Sequence, residues 1–380
     1  MNNQFVQTIS GMRPDEIARQ AATPDAGLIL CFFGADFDYE KLYHELKTTG
    51  KPFIGCMDTG RLLDDRYLLE TDSAVALTLS SGLLAGVEVY CQDMRTRLSY
   101  NSIRVTSQEL FQGALSRLHI DPANPDVERT VAINLLHGLQ SANPVLEGQA
   151  ATSLFFQSVG GSCGGKLDFK NAPAICSQGY GALAVTAIIK LKDDFKFTSD
   201  LTTSFERVDG QLEVTRIAAP RHILEINGQP AAEAYAALIK KSVGDLQPDD
   251  FALYTLGLEP GDGERLITSI MKGDGAGGLL TYNDVKEGTT FNLYRAVSQD
   301  SDRKNKFSAM DQSKMITLIS FDCVLCYLAR NAHDEIQSVA NMYAQSLPGI
   351  PKIGFGTFSE NYCGANVNQT ETYLAILQNA

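Results

Sequence analysis

Two cysteines, Cys323 and Cys326, stand three positions apart at the end of a long apolar run. A pair with this spacing does thiol redox chemistry when a helix start or a nearby cation lowers the pKa of one thiol. The flanking residues, Phe-Asp-Cys-Val-Leu-Cys-Tyr-Leu, are apolar and not electropositive. We therefore favour two buried structural cysteines and keep a thiol redox protein that uses Cys323 and Cys326 as an alternative.

The five histidines are far apart in the sequence, and neither a His-x-x-x-His nor a paired Cys-x-x-Cys zinc pattern occurs. A haem needs an axial donor, most often His or Cys, in an apolar pocket. His222 is our candidate for the haem iron, because it precedes a predicted strand beside Arg221, a cation suited to a propionate. The alternative for each histidine is an ordinary packed or solvated residue.

Nucleophilic catalysis has no clear signature in this chain. The spacing Gly-x-Ser-x-Gly occurs at Gly160 to Gly164, but no base is evident beside it, and a hydrolase would need a nucleophile with a base nearby. A glycine-rich segment, residues 159–165, follows a predicted strand but lacks both the Walker lysine pair and the G-x-G-x-x-G pattern. We interpret it as tight turning or close backbone packing, with a close approach to some ligand left open. The chain is predicted not to be an enzyme, with a redox enzyme kept open.

The remaining polar candidates lie in residues 351–370. A short apolar run, Ile353 to Phe355, is broken by glycines and then followed by Thr, Ser, Glu, Asn and Gln residues, which predicts a buried strand that ends at a polar mouth. Residues 51–60 repeat the order Pro, spacer, Ile-Gly, Thr. A strand-length run and a helix-like segment precede each stretch, so we predict two weakly related strand–helix–strand units near the two ends of the chain.

Composition limits the class of protein. The chain has 380 residues, of which 44% are hydrophobic and 20% charged, with a net charge of −13. These values are typical of a globular protein and argue against nucleic-acid binding and against docking on anionic lipid. No apolar run reaches the roughly 18 residues that a membrane span needs, and the start lacks the features of a signal peptide. We predict a cytoplasmic protein whose eight cysteines are mostly reduced and buried.

Many predicted strands with fewer helices, in mixed order, indicate an α/β fold with largely antiparallel sheets and flanking helices, arranged as two pseudo-related halves. Ala74 to Leu79 and Leu83 to Tyr90 are predicted to form a hairpin. We divide the chain into an N-terminal leader, residues 1–24, and two domains, residues 25–219 and 220–380.

Five segments, in the expected order over nearly the whole chain, resemble the FIST family with its N- and C-terminal domains. They are Gly27-Leu-Ile-Leu with Phe53-Ile-Gly-Cys56, Val159-Gly-Gly-Ser-Cys-Gly164, Glu225-Ile-Asn-Gly-Gln-Pro-Ala231, Ser320-Phe-Asp-Cys323, and Ile353-Gly-Phe-Gly-Thr-Phe-Ser-Glu360 with Val367-Asn-Gln-Thr370. Stand-alone haem-binding nitric-oxide sensors of the NosP type are the branch that the chain resembles most.

The resemblance implies an intracellular sensor that regulates a signalling partner, either a histidine kinase or a cyclic-di-GMP synthase or phosphodiesterase. Nitric-oxide sensing through haem b is one implied mode, and binding of an amino acid or another small metabolite without haem is the alternative. A homodimer is left open. The implied ligand-binding residues are Gly160, Gly161, Cys163, Asp322, Cys323, Thr357, Glu360, Asn368 and Thr370, and the implied cofactor-binding residues are His222 and Arg221.

Overall fold

The computed structural model describes residues 4–95, 98–166, 172–261, 264–297, 300–326 and 336–379. It divides into two compact units. The first comprises Met1–Leu201, Lys304–Ala365 and Glu371–Ala380, and the second comprises Thr202–Arg303 and Asn366–Thr370. The predicted α/β class with largely antiparallel sheets is confirmed. The boundaries between these two units do not coincide with the domain boundary that we predicted between residues 219 and 220. That domain boundary stays a prediction.

The first repeat of the first unit begins near the N-terminus. Its elements are β1 (Val6–Gly11), α1 (Pro14–Ala21), β2 (Ala26–Phe33), α2 (Tyr39–Thr48), β3 (Phe53–Met57), β4 (Arg61–Leu63), β5 (Arg66–Leu68) and β6 (Ala74–Ser80). Helix α2 begins where the Asp38 carboxylate accepts the Lys41 amide, and it buries Leu42 and Leu46, which stand four residues apart on one face. The two apolar positions hold the helix against the sheet that contains β2 and β3.

The second repeat has the same succession of elements. They are β7 (Leu84–Asp93), α3 (Tyr100–Arg117), β8 (Thr130–Leu136), α4 (Gly138–Thr152), β9 (Ser158–Ser162), β10 (Ala174–Cys176), β11 (Gly179–Gly181) and β12 (Leu183–Leu191). The predicted hairpin between residues 74 and 90 is wrong. Strand β6 lies in the sheet of β2, and β7 pairs with β12 in a different sheet. The Ser-Ser-Gly turn therefore connects two sheets and not two paired strands.

The second unit lies between the second and third repeats in the sequence. After β13 (Phe195–Thr203) come β14 (Phe205–Ala219), β15 (His222–Ile226), β16 (Gln229–Pro230), α5 (Ala231–Leu238), a 3₁₀ turn (Val243–Asp245), α6 (Pro248–Leu253), β17 (Tyr254–Leu258), β18 (Leu266–Thr268), β19 (Ile270–Gly273), β20 (Leu279–Thr281) and β21 (Thr290–Ala296). The strands form one sheet in the order β18-β17-β21-β14-β15-β20-β19, with β16 on β15. Tyr235 on α5 fills the core of this unit, and its hydroxyl donates to the carbonyls of Asp250 and Tyr254.

The third repeat closes the first unit. It consists of β13 followed by α7 (Asp300–Ala309), β22 (Met315–Cys323), α8 (Ile336–Ser346), β23 (Lys352–Thr357), β24 (Glu360–Tyr362), β25 (Ala365–Val367) and β26 (Thr370–Gln378). The two predicted strand–helix–strand units correspond to β2-α2-β3 and β22-α8-β23. The unit β8-α4-β9 is a third one of the same form, which the sequence did not reveal.

Each repeat places its two central strands side by side and parallel. The pairs are β2 with β3, β8 with β9, and β22 with β23. The register is also equivalent, because one glycine of each second strand stands opposite the same position of the first: Gly55 opposite Cys31, Gly160 opposite Asn134, and Gly354 opposite Ser320. A Cβ at any of these glycines would lie 2.0–2.6 Å from the facing carbonyl oxygen, so only glycine fits.

The three repeats also exchange strands in a cycle. Strand β4 of the first repeat pairs with β23 of the third, β10 of the second pairs with β3 of the first, and β24 of the third pairs with β9 of the second. Each donated strand is antiparallel to its partner. Every sheet of the first unit therefore contains a strand from another repeat.

Candidate functional site

The last residues of β3, β9 and β23 meet residues that precede the donated strands, and we call this meeting point the junction. Three equivalent amide-to-carbonyl hydrogen bonds form it: Met57 to Pro173 at 2.9 Å, Ser162 to Ser359 at 2.7 Å, and Gly356 to Gly60 at 2.8 Å. In α/β proteins ligands bind outside the carboxyl ends of parallel strands. The junction and the loops around it are therefore the first place to look for a functional site.

The glycine-rich segment, residues 159–165, allows the backbones at the junction to approach closely. Gly160 has a φ of +136°, and a Cβ there would lie 2.0 Å from the Asn134 carbonyl oxygen. A Cβ on Gly164 would lie 2.9 Å from the Gly356 carbonyl oxygen and 3.0 Å from the Asp58 Cα. These contacts confirm the structural interpretation of residues 159–165, in which the glycines permit close backbone packing.

A polar cluster fills the junction on the side of β23. The Thr357 hydroxyl donates to the Glu360 carboxylate and approaches the Asp322 carbonyl oxygen at 3.3 Å. The hydroxyls of Ser359 and Ser162 lie 2.9 Å apart. Gly161 packs against Thr357. Five of the predicted site residues, Gly160, Gly161, Asp322, Thr357 and Glu360, are thus brought together, with Cys163 beside them in the same unit.

This cluster is buried and not an open mouth. Thr357, Ser359 and Glu360 have no solvent exposure, and Asp322 retains 5%. The predicted polar mouth after β23 is therefore wrong as a description of the surface, because β9 and β24 pair over it. The assignment of these residues to a ligand stays a prediction.

Cys323 belongs to the same cluster, and its environment opposes redox chemistry. Burial raises the pKa of the Cys323 thiol well above its ordinary value, and the hydrogen bond with Cys326 and the charge of Glu360 raise it further. Both cysteines are buried. A thiol that stays protonated is a poor nucleophile, so the geometry speaks against the alternative of a redox protein built on this pair.

A buried ion pair that we did not predict from the sequence lies at the end of β3. The Arg61 Nε atom donates to both carboxylate oxygens of Asp58, at 3.2 and 3.0 Å, and both side chains are essentially inaccessible. Arg61 Nη1 also donates to the Glu70 carbonyl at 2.9 Å and to the Ser73 hydroxyl at 2.6 Å. Burial raises the pKa of Asp58, and the guanidinium of Arg61 opposes that shift. The signal was present as two charged residues in the turn after a buried strand.

The other predicted residues belong to the second unit. Asn368 accepts from the Ser269 amide through its side-chain oxygen at 3.4 Å, and its own amide donates to the Ile267 carbonyl at 3.1 Å. Thr370 is buried. His222 Nε2 lies 2.7 Å from the Asp274 carboxylate, and the Arg221 Nε atom donates to Asp284 at 2.7 Å.

The residues around His222 do not fit a haem. The hydrogen bond from His222, followed by one from the backbone amide of Ala276, lowers the pKa of Asp274 to about 2. The Nε2 atom of His222 is therefore held by an ionised carboxylate, which leaves only Nδ1 for iron, and Arg221, the cation expected to face a propionate, is held by another carboxylate. Among the described residues, no group of three or more His, Cys, Asp or Glu side chains could hold a metal ion.

An open pocket of about 420 Å³ lies at the carboxyl ends of the first two parallel pairs. Its lining combines polar and apolar residues, which are Ala35, Tyr39, Met57, His137, Lys166, Ala172, Pro173, Gly181 and Ala182. Ala35 follows β2, Met57 ends β3, and His137 follows β8. Like the buried cluster, this pocket lies at the carboxyl ends of parallel strands, where ligands bind in α/β proteins. Unlike the cluster, it is open, so a ligand can enter it.

The polar lining of this pocket includes a histidine and a lysine. His137 donates from Nδ1 to the Ala172 carbonyl at 2.9 Å, which leaves Nε2 for a second partner. Lys166 pairs with Asp36 at 3.3 Å, and its side chain is 63% exposed. Tyr39 is the first residue of α2 and His137 is the N-cap of α4, and the free backbone amides at these helix starts favour negative charge.

The described residues thus form a mixed α/β fold with an open pocket at its strand ends. The FIST N domain model matches residues 27–229, and the FIST C domain model matches residues 231–363. The chain belongs to the FIST family. Domains of this family are typically signalling sensors that bind small ligands.

The solved structures add a distant likeness. One, titled as a cyanuric acid hydrolase from A. caulinodans, aligns over 99% of both chains with a TM-score of 0.42 and 8% sequence identity. No curated protein matches the chain. None of the described helices is long and apolar enough to span a membrane.

Proposed function

We propose that this protein is a small-ligand sensor that binds its ligand in the 420 Å³ pocket and thereby regulates a signalling enzyme. Membership of the FIST family supports the sensory role. The pocket is the observation that supports the site, because it lies at the carboxyl ends of two parallel strand pairs and is open to solvent. Its volume suits a molecule the size of an amino acid or a small metabolite, since ligand pockets start at roughly 300 Å³.

The chemistry of the pocket favours a small carboxylate, such as an amino acid. Lys166 supplies a cation and two helices begin at the pocket, and these groups stabilise an anion. The Nε2 atom of His137 accepts a hydrogen bond in the neutral ring, because Nδ1 carries the proton, and this suits an amino group. Ala35, Met57 and Pro173 offer a surface for an apolar side chain. Sensing of nitric oxide through haem is not part of this proposal, because His222 and Arg221 are held by Asp274 and Asp284.

The proposed partner is a histidine kinase or an enzyme of cyclic-di-GMP turnover in the cytoplasm. The resemblance to sensory input domains supports this assignment. A sensor acts by binding a ligand in one state of itself or of its partner more tightly than in the other. We therefore expect ligand to change the activity of the partner and not only the stability of this chain.

Calorimetric titration of the purified protein with amino acids and short carboxylic acids tests the site. Replacement of Lys166 by Gln should weaken the best ligand at least about tenfold, because a charge-assisted hydrogen bond contributes roughly 1.5–3 kcal/mol. Stability should hardly change, since Lys166 forms only an exposed ion pair. Replacement of the exposed Lys192 by Gln is the matched control.

A ligand that binds equally well to the wild type, to Lys166→Gln and to His137→Gln would place the site elsewhere. If none of the amino acids and carboxylic acids binds, the proposal of a small-carboxylate ligand is wrong. Autophosphorylation of a purified partner kinase, with and without ligand, then tests the regulatory half of the proposal.

A further inference from the structure

A pocket of about 360 Å³ belongs to the second unit, whereas the pocket of 420 Å³ belongs to the first. Its lining comes from the 3₁₀ turn, from α6 and from the end of β19 with the loop that follows it, residues 273–278. The volume falls in the range of small-molecule pockets, which starts at roughly 300 Å³. The sensing site proposed above uses none of these residues.

Much of this lining is apolar. Leu246, Pro248 and Phe251 contribute side chains from α6 and the residues before it, and Val243 contributes one from the 3₁₀ turn. Val243 is 41% exposed, so the apolar lining reaches the surface. Phe251 is buried and stacks on Tyr235, with the ring centroids 5.5 Å apart. A molecule that enters therefore loses apolar surface to solvent here, which favours binding.

Glycines supply another part of the lining, namely Gly273, Gly275, Gly277 and Gly278. Glycine has no side chain, so a ligand can approach the bare backbone closely. A Cβ on Gly275 would meet no heavy atom within 4 Å, and one on Gly273 would meet only the Gly278 carbonyl oxygen, at 3.9 Å. The space beside these two residues is open and suits a flat molecule.

Internal hydrogen bonds hold the glycine loop in place. The Asp274 carboxylate accepts the backbone amides of Ala276 at 2.7 Å and of Gly278 at 2.8 Å. The Gly277 carbonyl accepts the backbone amide of Ala232, another lining residue, at 2.9 Å. The pocket is therefore preformed, so little conformational entropy is lost when a ligand binds.

Lys272 is the one charged residue among the described residues that line the pocket. Its side chain is exposed, and it forms no ion pair with a carboxylate in the described part of the chain. Two carboxylates that are adjacent in sequence to lining residues are already engaged. Asp250 pairs with the Lys241 ammonium at 2.6 Å, and Asp274 pairs with the His222 ring at 2.7 Å. The charge of Lys272 is therefore available to an anionic group of a ligand.

We propose that this pocket is a second ligand site, which binds a small aromatic carboxylate. The ring lies among the apolar residues and the glycine backbone, and the carboxylate pairs with Lys272. A ring suits this lining because its flat face packs on bare backbone and its edge or face packs on Phe251. The site is independent of the sensing pocket, because all of its residues belong to the second unit.

Fluorescence anisotropy of indole-3-acetate, titrated with the full chain, tests the proposal. The chain contains no tryptophan, so excitation beyond the tyrosine absorption reports on the probe alone. Lys272→Gln should weaken binding at least about fivefold, because it removes a charge-assisted hydrogen bond. The neutral indole-3-acetamide should bind the wild type more weakly than the acid does, and it should bind Lys272→Gln as well as it binds the wild type.

Val243→Asp gives a second variant whose side chain is already exposed, so the fold should be kept, and circular dichroism checks this. The new carboxylate should repel the acid and weaken its binding at least about fivefold. Lys240→Gln is the matched control, because Lys240 is an exposed lysine of the same unit that does not line the pocket. It should leave the affinity unchanged.

Three results would overturn the proposal. The first is that indole-3-acetate does not bind to the wild type. The second is that it binds equally well to the wild type, to Lys272→Gln and to Val243→Asp. The third is that Lys166→Gln weakens binding while Lys272→Gln does not, which would assign the aromatic acid to the pocket of the first unit.

Discussion

The ion pair between Arg61 and Asp58 offers the sharpest test of the junction. Replacement of Arg61 by Met keeps the length of the side chain and removes its charge. The Ser73 hydroxyl still donates to the Glu70 carbonyl at 3.2 Å, so these two groups keep a partner. Asp58 instead retains only backbone hydrogen bonding from Gly60 in a site without solvent exposure. Removal of one partner of a buried pair costs about 3–5 kcal/mol, and we expect about 4 kcal/mol here.

Urea unfolding followed by far-ultraviolet circular dichroism measures this loss, since the chain contains no tryptophan. The control is the double variant Asp58→Asn with Arg61→Met, in which no charge remains to be buried. It should recover at least about half of the lost stability, because the cost comes mainly from the uncompensated carboxylate.

The sign of the pH dependence separates this explanation from a simple packing defect. Without Arg61, burial acts alone and the pKa of Asp58 rises further above its ordinary value of 3.8. A carboxyl whose pKa is raised in the folded state stabilises the protein below 3.8, and that contribution is lost as the pH rises through the folded value. Arg61→Met should therefore be less harmful near pH 4 than near pH 8, by comparison with wild type. A loss below about 1 kcal/mol, or one independent of pH, would refute a desolvated ion pair.

Two further predictions concern backbone packing and haem. Gly160→Ala should lower the free energy of unfolding, measured in urea, by at least about 3 kcal/mol, because the substitution combines a strained φ with a collision at the junction. The control Gly113→Ala in α3 should be neutral or stabilise the protein by up to about 1 kcal/mol. Equal effects of the two substitutions would contradict the packing role of Gly160. When purified protein is titrated with haem, the Soret band should be the same for the wild type and for His222→Ala, and a band that depends on His222 would restore the haem hypothesis. Acid unfolding of His222→Ala should begin at a higher pH than that of the wild type. The reason is that the depressed pKa of Asp274 contributes stability above pH 3.8 that is lost as the pH falls toward 2.

Much of the repeat architecture was legible in the sequence, because Ile54-Gly55 and Ile353-Gly354 mark equivalent strands. The third copy was not recognised. Its glycine lies in Val159-Gly160-Gly161 without the preceding proline, and its helix α4 contains Pro144, a residue that normally argues against a helix interior. The packing of α3 against α4 outweighs this local preference.

The candidate site was predicted less well than the fold. The residue types of Thr357 and Glu360 indicate a polar place, but their burial depends on pairing between Glu360 and Gly161, which are 199 positions apart in the sequence. Pairings of this kind leave no local periodicity, so the sequence alone does not reveal them.

The cyclic exchange of strands has a consequence for synthesis of the chain. Strand β9 pairs with β24, and β4 pairs with β23. Because β23 and β24 belong to the third repeat, neither sheet is complete until that repeat has been synthesised. Strand edges are left unpaired during that interval, and such edges are sites of aggregation. We therefore expect the nascent first repeats to depend on holding chaperones, and folding of the first unit to occur late and in a single cooperative step.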